Sequence, residues 1–399
     1  MGVVIKGVIL DESVLLAPQR DDDLHANGSL QPGAESLLRK LRHSKFRTGI
    51  TYGVGLSDHK VSLLKMMTAT YSFDSFLLNS ASIDDAKHEI MLAWGDIGGI
   101  ILYLVSSEKK EVFPKLSNCG WLIVALRSPG QESADVIEDG SACEDSSIFY
   151  INQLEELSLT VCHLNRKAIG SSVVTVGYIM KPSREDDFAK RGAFPMYPTQ
   201  NGLMFFPLTL EMPLSPQLQE VDIVLHKATD EIISIDLSSS TTFSNRISYT
   251  RGMQELQRYM EHHPDCCVID PFNNIYPVVD RLKIQEILLQ LEDLNTEGRC
   301  TIRGPHFLKV NNFNELDLVQ RLSEAKLSLP SIVKPQVACG VASAHNMVRS
   351  LSSFILDSGI INSNFKFFDE ASLYLFQLPR TSIVLEPLAT DQNRFHTFE

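Results

Sequence analysis

With 399 residues, the chain exceeds what one hydrophobic core normally holds, and two or three domains are expected. Its 44% hydrophobic and 21% charged residues are those of a globular protein, while a formal charge of -13 disfavours non-specific association with nucleic acid or an anionic membrane. Any anion site must therefore be a local cluster of Lys and Arg within an acidic surface.

The chain opens on Met1-Gly2-Val3-Val4-Ile5-Lys6, which lacks the basic region and cleavage site of a signal peptide. Seven cysteines, odd in number and without C-x-x-C spacing, argue against a zinc site and a disulfide framework, so a reducing, cytoplasmic compartment is expected. The most apolar window, Met91 to Val105, holds Asp96 and three glycines and is too short to span a bilayer, which takes about 20 apolar residues.

Residues 1–126 alternate apolar strands with helical segments. Strands are expected at Val3 to Leu10, Arg47 to Tyr52, Ile100 to Val105 and Trp121 to Leu126, with a helix at Gly33 to Arg42. This alternation predicts an open, largely parallel sheet covered by helices. From Ser128 to Ser147 the composition turns acidic and small, as in an exposed loop where the chain passes between domains.

A second α/β unit follows. Strands are expected at Val173 to Met180, Val221 to Lys227 and Cys266 to Asp270, with helices at Met253 to His262 and Leu282 to Leu291. Met253, Leu256, Tyr259 and Met260 share one helical face, as packing onto a sheet requires. The third block has strands at Thr301 to Val310 and Ser331 to Lys334 and a helix at Asn314 to Ala325. After Met347 the pattern weakens, leaving short apolar segments at Leu351 to Leu356 and Ala371 to Leu378. The expected divisions are thus 1–150, 171–295, 296–347 and a divergent tail, 348–399.

Ligands of open α/β sheets collect beyond the carboxyl ends of the strands. Arg184, Lys227, Arg281 and Lys334 each lie just past a strand or its turn, and Lys334 leads into small residues, Cys339 to Ser343, followed by His345. A basic residue after a strand is commonly a solvated loop charge. Convergent cations, however, would form a polyanion pocket, with Arg offering a bidentate fork and Lys a mobile point charge.

The order and wording of these segments narrow the reading. Val176-Gly177-Tyr178 with Arg184, Val-Leu-His-Lys227, Asp270-Pro271 with Asp280-Arg281, Val-Lys334-Pro and Ala-His345-Asn-Met resemble the inositol 1,3,4-trisphosphate 5/6-kinase family, also called inositol-tetrakisphosphate 1-kinases. The resemblance covers Val173 to Met347 and is nearest the plant branch with an extra N-terminal domain. It implies a Rossmann-like domain followed by an ATP-grasp domain, and transfer of the ATP γ-phosphoryl to an inositol phosphate. By the same resemblance Arg184 (usually lysine in the family), Lys227 and His345 would hold the inositol phosphate, and Arg281 and Lys334 would contact ATP. Mg2+ is implied as well, but no metal ligands and no catalytic residue are identified in this chain. The expected partners are inositol polyphosphates and ATP, with neither nucleic acid nor membrane, and a monomer is expected.

Family members continue from the histidine segment into a long second half carrying the adenine hinge and metal-binding acids. Here 52 residues remain after Met347, and Asp391-Gln392-Asn393 has the letters of an Asp-x-Asn group without the preceding strand. A chain of kinase lineage with impaired catalysis is expected, through an altered C-terminus. The alternative function is a non-catalytic inositol-phosphate binder.

The first block offers a different chemistry. Gly7 to Ser13, Leu30 to Ala34 and Ile50-Thr51-Tyr52 resemble a worn haloacid-dehalogenase fold. In such phosphatases an Asp at a strand end attacks phosphorus, an Asp two residues on serves as acid and base, and a Thr or Ser holds phosphate. Asp11 and Thr51 fill two of these places, but Ser13 replaces the acid. With no Lys and pair of acids found to complete a magnesium site, a non-catalytic domain is expected.

Overall fold

The computed structural model describes residues 4–17, 29–78, 83–128, 148–170, 173–236, 247–292, 305–310, 316–327, 331–340, 344, 348–350 and 373–377. Two compact units make up the chain, one of residues Met1–His226 with Arg258–Ile269, the other of Lys227–Gln257 with Asp270–Glu399.

The first unit begins with a six-stranded sheet of β1 (Ile5–Asp11), β2 (Arg47–Gly53), β3 (Asp74–Leu78), β4 (Ile100–Ser106), β5 (Leu122–Leu126) and β6 (Ile148–Ile151). The order is β3-β2-β1-β4-β5-β6 and every pair is parallel. Its helices are α1 (Glu12–Leu15), α2 (Ala34–His43), α3 (Asp58–Tyr71), α4 (Ile83–Trp94), α5 (Phe113–Asn118) and α6 (Glu156–Ile169). A parallel sheet needs cover on both faces, and side chains alternate between them. Accordingly Val8, Leu10, Leu102, Leu104 and Val124 join one core with α2 and α6, while Ile9, Ile101, Tyr103, Val105 and Ile123 join a second with α4 and α5.

The acidic segment expected to cross between domains does not do so. The chain returns as β6 to the edge of the same sheet, and Leu157 and Val161 of α6 complete the first core. Composition marks such a segment as a loop but carries no information on which sheet receives the next strand. Residues 129–147 themselves lie outside the described residues.

A second parallel sheet in this unit has the order β12-β9-β7-β8, from β7 (Val174–Ile179), β8 (Leu203–Pro207), β9 (Ile223–His226) and β12 (Cys267–Ile269). Helices α7 (Pro182–Lys190) and α8 (Leu214–Leu218) lie between its strands in sequence. Asn165 of α6, fully buried, ties this region to β1: its Oδ1 accepts the Ile5 N–H at 2.7 Å and its Nδ2 donates to the Met196 carbonyl at 3.1 Å.

The other unit contains the antiparallel pair β10 (Ile232–Ile235) and β11 (Ile247–Tyr249), helices α10 (Phe272–Val279), α11 (Arg281–Glu292) and α12 (Leu318–Glu324), and an antiparallel sheet. Helix α9 (Arg251–His262) precedes β12, and Met253 and Leu256 of its expected apolar face are buried. The sheet is ordered β13-β16-β14-β15, from β13 (Phe307–Val310), β14 (Ser331–Pro335), β15 (Val348–Ser350) and β16 (Leu373–Gln377). The segment expected at Ala371 to Leu378 is thus a strand, placed between β13 and β14. Residues 351–356, the other apolar segment of the tail, lie outside the described residues. Among the described residues, no helix is long and apolar enough to cross a membrane.

Candidate functional sites

Two places combine strand tips with charged side chains. In the first sheet, β1, β2 and β4 are parallel neighbours, so their carboxyl ends share an edge. Asp11 ends β1 and pairs in register with Thr51 of β2, as the spacing of the two motifs implies. Asp11 is 1% exposed and Thr51 is fully buried. The Tyr103 hydroxyl joins them, donating to Asp11 Oδ2 at 3.1 Å and lying 2.8 Å from Thr51 Oγ1.

The remaining Asp11 oxygen is also engaged. Oδ1 accepts the Ser13 N–H at 3.0 Å and the Lys109 ammonium at 2.7 Å, and Lys109 Nζ also donates to Glu12 Oε1 at 2.6 Å. Ser13 Oγ accepts the Ser106 N–H at 3.2 Å, so the residue in the acid position serves as a backbone anchor. Lys109 is the residue missed in the sequence. It lies 98 positions from Asp11 and is brought there only because β1 and β4 are adjacent.

Burial, followed by the charge of Asp11, pushes the Tyr103 phenol far above its ordinary range, so it remains a donor. For Lys109, burial alone would lower the pKa, but Asp11 and Glu12 outweigh it and hold the ammonium charged. Glu12 is raised above the usual carboxylate value by burial and then by Asp11, against the opposing pull of Lys109, and its Oε2 is buried without a hydrogen-bond partner. A carboxyl raised in the folded state contributes fully below its unfolded pKa, about 4.3, and that contribution is lost as pH climbs through the higher folded value. Glu12→Gln is therefore expected to gain melting temperature relative to wild type between about pH 4 and pH 7. A difference that stays constant over that interval would count against ionisation as its cause.

The second place involves the cations read from the strand tips. Arg184 sits in the first turn of α7, past β7, and its helix is held by Arg39 to Glu185 at 2.9 Å and His43 to Asp186 at 2.8 Å. Lys227 follows β9 directly; its ammonium lies 3.7 Å from Asp270, a residue at φ +61° just past β12. Since β7 and β9 are parallel neighbours, the chain leaves both at one edge of the sheet.

Lys334 and Arg281 lie close to each other, in the unit that also holds Lys227 and Asp270. The Arg281 guanidinium donates to the carbonyls of Pro335 at 2.6 Å, Ala338 at 3.4 Å and Ala344 at 3.1 Å, and also to that of Val337. Its backbone N–H reaches the Gln336 carbonyl at 2.9 Å, and Gln336 Nε2 donates to Asp280 at 3.1 Å. Arg281 therefore clasps the segment that carries Lys334. Gly340, at φ +87°, completes the turn; a Cβ there would lie 2.6 Å from Ile232 Cδ1, so only glycine fits. Burial lowers the Lys334 pKa, and the neighbouring Arg281 charge lowers it further. Two close cations of this kind attract an anion. His345 lies outside the described residues.

The fold defines the class: consecutive α/β domains, the first with a dehalogenase-like strand edge, the second a Rossmann-like parallel sheet. Residues 1–167 match the family described as "ITPK4, N-terminal HAD-like domain", and residues 175–275 match the "Inositol 1,3,4-trisphosphate 5/6-kinase pre-ATP-grasp domain". The chain is 48% identical over 343 residues to inositol-tetrakisphosphate 1-kinase 6 of Oryza sativa subsp. indica, and equally so to that of subsp. japonica, covering 85% of this chain and 60% of each relative. It is also 28% identical over 148 residues to inositol-tetrakisphosphate 1-kinase of Danio rerio, covering 37% of this chain and 35% of the relative. The chain carries the N-terminal dehalogenase-like and pre-ATP-grasp domains of the inositol-tetrakisphosphate 1-kinase family. It spans 60% of the length of the rice relatives.

Proposed function

We propose that this chain binds inositol polyphosphates and belongs to an ATP-grasp kinase. The reaction would transfer the ATP γ-phosphoryl to inositol 1,3,4-trisphosphate at the 5 or 6 position, or to inositol 3,4,5,6-tetrakisphosphate at the 1 position. The observation that carries this reading is the clasped segment, in which Arg281 fixes the backbone that carries the half-buried Lys334. Phosphoryl transfer depends chiefly on positioning and on neutralising the moving charge, so such preset cations suit it. In this reading Arg184, Lys227 and His345 contact the inositol phosphate and Lys334 the phosphates of ATP. Arg281 supports the ATP phosphates through the loop it orders as well as through its charge. A cytoplasmic location belongs to the same proposal.

The relatives' reaction implies Mg2+. Among the described residues, no group of three or more His, Cys, Asp or Glu is placed to hold a metal ion, and no step is assigned through one. A non-catalytic binder is the second reading, and it is favoured by the departure from the family's wording after Met347.

Calorimetry with an inositol tetrakisphosphate tests the first claim. Lys227→Ala removes a charge-assisted contact worth about 1.5–3 kcal/mol, so affinity is expected to fall roughly 10- to 100-fold. Unchanged affinity would remove Lys227 from the site. Turnover of Mg-ATP with the same ligand separates kinase from binder, since both bind the polyphosphate and only the kinase consumes ATP.

A further inference from the structure

A dehalogenase-like fold implies a divalent cation at the tip of its first strand, and the residues here do not fit one. We propose that the Lys109 ammonium permanently takes the place of that cation, making the first domain a metal-independent, non-hydrolytic module.

Three observations carry this. First, Lys109 Nζ lies between the two carboxylates at this strand tip, 2.7 Å from Asp11 Oδ1 and 2.6 Å from Glu12 Oε1. Magnesium demands oxygen ligands at about 2.0–2.1 Å in near-octahedral array, and an ammonium inside that volume leaves no room for it. Second, the ammonium already offsets the buried Asp11 charge and pairs with Glu12, so no divalent ion is needed to compensate these carboxylates. Third, the other polar groups at this edge are committed to one another. Asp11 Oδ2 and Thr51 Oγ1 are tied through Tyr103, and Ser13 Oγ holds the Ser106 N–H. Among the described residues, no further acid completes a ligand set.

Both Asp11 oxygens being bonded and the side chain 1% exposed, its carboxylate has no path of approach to a phosphorus atom. The ammonium does what a metal would do for folding, neutralising Asp11, without offering the open coordination positions that a phosphoryl group needs.

The test uses the full chain with Tb3+ as an oxygen-site probe. Tyr103 bonds Asp11 and stacks on Trp121 with ring centroids 5.5 Å apart, so a lanthanide at Asp11 would emit through this antenna. Wild type is expected to show no emission that depends on Asp11, judged against Asp11→Asn. Lys109→Met should gain several-fold emission that the Lys109→Met, Asp11→Asn double variant loses. Asp11-dependent emission from wild type overturns the proposal, as does its absence from a folded Lys109→Met. Should that variant not fold, acetylation of wild type resolved by mass spectrometry decides. Labelling of Lys109 is expected to stay constant as Mg2+ is added, and a rise relative to Lys110 and Lys115 would mean that the metal displaces the ammonium and the proposal fails.

Discussion

Arg281→Met is expected to unfasten residues 335–340 and Ala344. The guanidinium serves four carbonyls, and hydrogen bonds from a charged donor are worth about 1.5–3 kcal/mol each before non-additivity. A net loss on the order of 3 kcal/mol in the stability of this segment follows. Hydrogen exchange at the amides of residues 336–340 should accelerate by about two orders of magnitude, since each 1.4 kcal/mol is tenfold. Arg281→Lys keeps the charge but not the fork, so its single ammonium can serve only part of the set and an intermediate rate is expected. If exchange is unchanged in Arg281→Met, the clasp does not hold the loop. The same substitution acts on Lys334. Burial lowers its pKa first and Arg281 second, so removing Arg281 should move that pKa part of the way back up. Amine reactivity of Lys334 against pH reads this shift. A phosphate ligand role for Arg281 alone would predict weaker nucleotide binding without faster exchange in the free protein.

Asn165→Ala is expected to destabilise the first unit by roughly 2–6 kcal/mol, because it strands two buried backbone groups at a cost of about 1–3 kcal/mol each. Those groups are the Ile5 N–H at the start of β1 and the Met196 carbonyl, both bonded to the fully buried Asn165 amide. Asn165 lies within the first matched domain and Met196 within the second, so chemical denaturation should lose its shared transition and separate into two. Asn165→Asp sharpens the test. It keeps the acceptor for Ile5 but buries a charge, so its folded pKa must lie above the unfolded value of about 3.9. Its stability is then greatest below that value and declines as pH rises through the folded pKa. A single transition with less than about 1 kcal/mol lost in Asn165→Ala would show that neighbouring groups replace the amide.

Much of the candidate sites was legible from the order of residues. Asp11 and Thr51 were placed at strand ends by short apolar runs, and the parallel register sets them side by side. The strand cores at β1, β2, β4, β5, β7, β9 and β14 are apolar segments bounded by polar turns, and the expected positions match to within a few residues. Less regular elements escaped. Helix α3 buries Leu64 and Met67 while Met66 is 59% exposed, so its apolar residues do not form the single stripe that periodicity detects. Strand β16 was visible as an apolar segment, but its place between β13 and β14 depends on pairing across the sheet.

Local chemistry thus dictates which segments extend, which coil, and that cations and acids collect where strands stop, because backbone propensity and side-chain period act over a few neighbours. Which of those charges meet is decided by sheet order. Lys109 neutralises Asp11 only because β4 lies beside β1, and Arg281 spends its donors on carbonyls 54 to 63 residues away because the junction of α10 and α11 pairs with the segment after β14. Electrostatics and hydrogen bonding depend on distance in space, and that distance exists only once the strands are assembled.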